Sequence, residues 1–155
     1  MLKNDFLLLY SYQSELVLNN MARIKNLYLN LLRPELVKKV QTYINSLQLN
    51  PNSVYISIHV RRTDYIEWIK VRFKGEPVGP SYFLYGMQHY KKKYENAVFL
   101  VTSDDLAWCK ENLVNNQTAD RLFFPRDYFK SNSEDVNVAI DLIVIAQSNH
   151  SSKIL

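Results

Sequence analysis

Val54-Tyr55-Ile56-Ser57-Ile58-His59-Val60 alternates branched apolar residues with Tyr, Ser and His, and runs straight into Arg61-Arg62-Thr63-Asp64. Such period-two alternation marks a β-strand, whose successive side chains point to opposite faces of a sheet. Polar chemistry therefore begins where the strand ends. Further on, Ala97-Val98-Phe99-Leu100-Val101 reads as a second strand and ends in Thr102-Ser103-Asp104-Asp105. Between them, after a loop with Gly75, Pro77, Gly79 and Pro80, residues 82–94 pattern as a helix. A helix from Asp105 to Val114, a short strand near Leu122 to Phe124, and a helix capped by Ser133 with Glu134 and Asp135 in its first turn follow. Lys153 is expected to open one more strand, and Phe6 to Tyr10 is a short strand candidate. Upstream, Pro34 suits a first helical turn, and Leu36, Val37, Val40, Tyr43, Ile44 and Leu47 recur at helical spacing. Strands alternating with helices imply an open α/β fold with a parallel sheet covered on both faces. Ligands of such folds bind beyond the carboxyl ends of the strands, where both polar clusters fall.

The bulk properties narrow the classes. With 155 residues, 47% of them hydrophobic and 22% charged, the chain has the composition of one ordinary globular domain. It carries no apolar run long enough to span a bilayer, and no signal-peptide pattern follows Met1. The single cysteine, Cys109, excludes an intrachain disulfide and reads as a buried, inert thiol. The net charge of +4 allows an anionic partner, but Lys91-Lys92-Lys93 reads as a solvated helix end, and no nucleic-acid partner is expected. The only glycines are Gly75, Gly79 and Gly86, so no glycine-rich phosphate loop is available. A nucleotide must be held by side chains and helix ends.

The segment from His59 to Asp64 packs a histidine, two arginines and an aspartate into a strand end. An Arg–Asp pair holding a turn is one reading. A phosphate site is the other, because the planar guanidinium donates two parallel hydrogen bonds and stays charged. Asp141 interrupts an otherwise apolar helix, Val138-Ala139-Ile140 before it and Leu142-Ile143-Val144-Ile145-Ala146 after it. A carboxylate buried there needs a partner. That partner is either structural, a backbone donor or an arginine, or it is a guanine, which offers two adjacent donors to one acceptor-only group. Asp104 and Asp105 read as an N-cap and a first-turn charge, or as acceptors for ribose or sugar hydroxyls. Trp68, Phe73, Tyr82, Phe83 and Tyr85 read as core residues or as a sugar platform, with Trp68 the foremost candidate for the latter.

These residues resemble a known family. His59-Val60-Arg61-Arg62-Thr63-Asp64-Tyr65 is similar to the H-V-R-R-G-D-Y motif of galactoside 2-alpha-L-fucosyltransferases. Val101-Thr102-Ser103 with Trp108-Cys109-Lys110-Glu111-Asn112 resembles that family's V-T-S-x-x-x-x-W-C-K-E-N segment. The stretch from Asp141 to His150 resembles its D-x-x-x-x-x-Q-x-N-H block, and Tyr10-Ser11-Tyr12-Gln13-Ser14 a weaker Y-F-Q-S motif. Thr63 departs from the family's glycine and matches the H-V-R-R-T-D form of alpha-1,6 relatives.

The resemblance implies an inverting enzyme that moves fucose from GDP-β-L-fucose to the 2-hydroxyl of a terminal galactose, with no metal or other cofactor. It implies an incomplete Rossmann-like sheet that is part of a two-lobed, GT-B-like fold. Residues 1–50 would belong to the N-terminal lobe and linking helices, and residues 51–155 to a GDP-fucose-binding domain truncated at its C-terminal end. Arg61 and Asp64 are then the catalytic candidates, with Glu67 and His59 as further possible bases, and His59, Arg61, Arg62, Asp104, Asp105 and Asp141 the donor-binding set. The family pattern continues into a G-T-F-G-x-W segment and begins with a membrane anchor, neither present here, so a fragment is expected, or a non-catalytic remnant of the donor site. The expected home is the lumenal side of the Golgi membrane; the sequons Asn116-Gln117-Thr118 and Asn149-His150-Ser151 agree with it.

Overall fold

The structure is a computed structural model that describes residues 30–47 and 52–153, together with positions 23 and 50. The strand candidate at Phe6 to Tyr10 and the motif at Tyr10 to Ser14 lie outside the described residues.

Helix α1 spans Pro34–Ser46, opened by proline at its first position, where a missing N–H costs nothing, and it buries Val40, Tyr43 and Ile44. Strand β1 is Val54–Val60. Helices α2, Thr63–Phe73, and α3, Pro80–Lys93, follow before β2, Ala97–Ser103, in which every residue is buried. Then come α4, Leu106–Leu113, β3, Leu122–Phe123, α5, Pro125–Phe129, α6, Glu134–Gln147, and β4, His150–Lys153. The fourth strand thus begins at His150, three residues before the expected start.

The sheet is wholly parallel in the order β3-β2-β1-β4. Strand alternation divides its two faces. Ile56, Ile58, Val60, Phe99 and Val101 pack with Phe83 and Met87 of α3 and with Cys109 and Leu113 of α4. Val98 and Leu100 turn the other way, against Val40, Tyr43 and Ile44 of α1 and Ile140, Ile143 and Val144 of α6. Helix α1, on the N-terminal side of the polar stretch around Pro51, is therefore part of the same core. Burial also raises the Cys109 thiol pKa, which keeps it protonated and inert.

Helix α2 has no counterpart among the sequence expectations, for a physical reason: none of its residues is buried. It stands outside the two helical layers and leaves through Lys74 in the left-handed conformation, φ 49°. The β4 edge is set by Asn149, whose N–H donates to the Tyr55 carbonyl and whose Oδ1 accepts from the Tyr55 N–H, both at 2.8 Å. One residue, through its backbone N–H and its side-chain oxygen, thereby completes the start of a ladder.

In a sheet with the order β3-β2-β1-β4 the chain reverses direction of winding between β1 and β4. Such a reversal opens a crevice at the carboxyl ends of the strands that flank it. Arg61 is the first residue beyond β1 at that edge.

Candidate functional site

The β1–β2 register pairs Val60 with Ser103, so the two polar clusters leave the sheet side by side. Ser103 ties them: its hydroxyl donates to the Val60 carbonyl at 2.7 Å and accepts from the Asp105 N–H at 2.9 Å.

Asp104 reaches across to the neighbouring segment. Its Oδ1 accepts from the Arg62 N–H at 2.8 Å, and its Oδ2 accepts from the Thr63 N–H at 3.1 Å and the Thr63 hydroxyl at 2.6 Å. These are donors at the start of α2 that no helical carbonyl can serve, so Asp104 caps that helix from another strand. Asp105 caps its own helix, α4, by accepting from the Trp108 N–H at 3.0 Å. Thr63 thus earns its place, since glycine has no hydroxyl to give Asp104.

The two arginines diverge. Arg62 folds inward: its guanidinium carbon lies 3.8 Å from the centroid of the Trp108 ring and its Nε 3.7 Å from Asp105 Oδ2. A cation over an indole face is held by the ring's quadrupole as well as by the carboxylate. Arg61 turns outward with 58% of its side chain exposed, and grips Asp64 with two parallel bonds, Nε to Oδ1 at 2.9 Å and Nη2 to Oδ2. The hydrogen bond from Arg61 lowers the Asp64 pKa, and the same bond raises that of Arg61. Of the two, Arg61 is the one a ligand at the sheet edge can reach.

His59 and Thr102 are register partners, and His59 Nδ1 lies 3.0 Å from the Thr102 hydroxyl. On α6, Asp141 is 4% exposed and meets Arg126 of α5: Nε lies 3.0 and 3.1 Å from its two oxygens and Nη2 2.7 Å from Oδ2. The structural alternative weighed for Asp141, an arginine partner, is the arrangement observed. Burial pushes the Asp141 carboxyl up to about 6, partly offset by the Arg126 hydrogen bond and charge. Asp104 also acts on both Asp141 and Arg126 electrostatically, so the second strand end and this pair share one field.

Arg126 was absent from the sequence expectations. Its signal was positional: Arg126 lies three residues past the end of the third strand, and Arg61 and Asp104 directly follow the first and second strands. Among the five aromatics singled out, Phe83 is core at 4% exposure, whereas Trp68, Phe73, Tyr82 and Tyr85 are exposed. A concave surface of about 470 Å³ between α3 and the loop after α4, lined by Leu84, Met87, Lys91 and Asn116 among others, contains none of the strand-end residues.

A parallel α/β sheet with cations and carboxylates gathered at the carboxyl ends of its strands places a candidate ligand site at that edge. The model of glycosyl transferase family 11 matches residues 21–150, and the chain belongs to that family. It is 30% identical to galactoside 2-alpha-L-fucosyltransferase Sec1 of Mus musculus over 131 residues, covering 77% of this chain and 34% of that protein. It is 29% identical to galactoside alpha-(1,2)-fucosyltransferase 2 of Mus musculus, covering 77% of this chain and 36% of the relative, and 29% identical to the Sus scrofa protein of that name, covering 73% and 32%. The chain therefore spans about a third of the length of these curated relatives. No solved structure matches it significantly. Among the described residues no helix is long and apolar enough to cross a membrane.

Proposed function

We propose that this protein is a fucosyltransferase, or the donor-binding part of one, that transfers L-fucose from GDP-β-L-fucose to the 2-hydroxyl of a terminal galactose. The reading includes inversion at the sugar carbon, no metal, a two-lobed fold in which residues 51–155 supply the GDP side and residues 1–50 lead in from the other lobe, and a lumenal Golgi location. Family membership and the names of the relatives support the chemistry. The observation that carries the residue assignment is the exposed Arg61–Asp64 fork at the end of β1.

Breaking the sugar–phosphate bond places growing negative charge on the diphosphate beside a cationic, oxocarbenium-like sugar. A guanidinium placed beside the leaving diphosphate stabilises that charge, the role a metal fills elsewhere. Arg61 donates from Nε and Nη2, the two-pronged face a phosphate needs, and Asp64 accepts both of these bonds. A diphosphate that takes the fork frees Asp64. Its carboxylate then loses the hydrogen bond that lowers its pKa and becomes a better base for the acceptor hydroxyl. Donor binding and base activation are in this way one event. Asp105 and Arg62 hold the scaffold beneath, Asp104 sets the start of α2, His59 at the end of β1 is the residue that approaches the guanine, and Asp141 is held by Arg126.

Titration calorimetry with GDP, ADP and UDP tests the reading. GDP is expected to bind at least about tenfold more tightly, since a mispaired polar edge costs about 1 to 3 kcal/mol. Equal binding of GDP and ADP would sink it.

A further inference from the structure

We infer that the aromatic face of α2 is an acceptor subsite, in which Trp68, flanked by Tyr65, stacks on the apolar face of a galactoside while Asp64 meets its hydroxyls. Its place in the reaction rests on the function proposed above; the binding it claims does not.

Tyr65 and Trp68 lie three residues apart and so share one side of the helix. Their ring centroids are 6.3 Å apart with planes tilted by 31°. Phe73 braces the indole edge-on from the other end, at 4.7 Å and 62°. The indole nevertheless stays 52% exposed. Helix α2 buries none of its residues, and the sheet is covered by α3 and α4 on one face and by α1 and α6 on the other. Among the described residues the rings therefore do no packing work for the core, and large exposed aromatics held in place by one another suit a binding surface. Because neighbours already fix the indole, little side-chain freedom remains to be lost when a ligand arrives.

The surroundings select the ligand class. Asp64, Glu67 and Lys70 interleave with the rings along the same helix, and Asp64 and Glu67 are exposed. An aromatic plane beside carboxylates suits a sugar, whose C–H face lies on the ring while its edge hydroxyls donate to oxygen. In a galactoside the axial 4-hydroxyl leaves the C–H groups at positions 3, 4 and 5 together on one face; a glucoside lacks that continuous face. Asp64 precedes Trp68 by one helical turn, so a sugar on the indole brings hydroxyls up to the carboxylate that pairs with Arg61. The surface is continuous with the strand-end site.

Saturation-transfer NMR on the full chain with methyl β-D-galactoside and methyl β-D-glucoside, beside a GDP titration, tests this. The galactoside is expected to show strongest transfer at H3, H4 and H5 and to bind more tightly than the glucoside. Trp68→Ala should weaken it at least about tenfold, Trp68→Phe should keep part of the binding, and GDP affinity should change less than about twofold. Near-UV circular dichroism of both variants confirms the fold. Unchanged galactoside binding by Trp68→Ala overturns the subsite, as does a protein that binds GDP but no galactoside. Loss of self-association in Trp68→Ala without loss of galactoside binding also overturns it, in favour of an interface between copies. Galactoside binding that depends on Trp68 in a protein that ignores GDP upholds the subsite and counts against the proposed donor instead.

Discussion

Arg126 and Asp141 form the most enclosed ion pair among the described residues, with side chains 12% and 6% exposed and the guanidinium spanning both carboxylate oxygens. It joins α5, which leaves the third strand, to α6, which covers the sheet. Removing one partner strands a buried charge, which is far costlier than the pair's net worth. Arg126→Ala is expected to destabilise the fold by about 3 to 5 kcal/mol. Replacing both residues by apolar ones of similar volume, Arg126→Met with Asp141→Leu, should recover most of that loss. Urea unfolding of the two variants reads the difference, and a mild effect of Arg126→Ala alone would show that the pair is not enclosed.

The same carboxyl group gives stability an unusual pH dependence. Its folded pKa of about 6 lies above the unfolded value of 3.8, so between the two the folded protein holds more protons than the unfolded chain. Stability from this group is fully present below about 4 and is lost as pH rises through about 6. Arg126 stays protonated throughout that window and adds no slope. Between pH 7 and pH 4 the wild type should therefore gain on Asp141→Asn, by on the order of 2 kcal/mol. Denaturation midpoints of both proteins across that range provide the check, and parallel curves would contradict the assignment.

In a complete enzyme of this family carrying this segment, Arg61→Lys is expected to damage transfer nearly as much as Arg61→Ala. Lysine keeps the charge but cannot present two parallel donors to a phosphate. Losing one preorganised donor costs about 100- to 1,000-fold in turnover, with GDP affinity falling less. Activity should survive EDTA. Steady-state kinetics of the variants, with and without chelator, decides it; near-normal turnover of Arg61→Lys would remove Arg61 from the transition state.

Asp104→Ala should loosen the start of α2, because the Arg62 and Thr63 N–H groups lose their shared acceptor. A lost cap costs about 1 kcal/mol, and up to about 2. Amide exchange at Arg62 and Thr63 should quicken while exchange along β2 stays slow. Unaltered exchange at both amides would mean that the helix start is held by other contacts.

Much of this was readable in the residues themselves. The alternation from Val54 to Val60 and the apolar run from Ala97 to Val101 show their strand character because each lies against the core. Asp141 declared itself as a polar residue in an apolar helix, although the sequence left open whether its partner was protein or ligand. Helix α2 stayed hidden for the opposite reason: with no buried side, its pattern is shaped by what it presents to solvent and not by packing. Asp104 reads as a cap of the helix that follows it, but Asp105 fills that place; the helix Asp104 caps begins 41 residues earlier, and no local rule connects the two. Arg126 escaped although the short strand before it was expected, because no local pattern links an arginine after that strand to a carboxylate 15 residues further on.

The bond between Tyr55 and Asn149 joins residues 94 positions apart, while β1 meets β2 across only 43. During synthesis, β1, β2 and β3 can emerge and pair while one flank of β1 still shows its unpaired backbone to the cytosolic or lumenal milieu. That flank closes only when Ser148, Asn149 and His150 leave the ribosome, after all the intervening helices. Long-range parallel pairing of this kind is slow and leaves the nascent chain open to wrong partners. Asn149 fixes where that late pairing starts, since its N–H and its Oδ1 take both polar groups of Tyr55 and so set the register of β4 at a single residue.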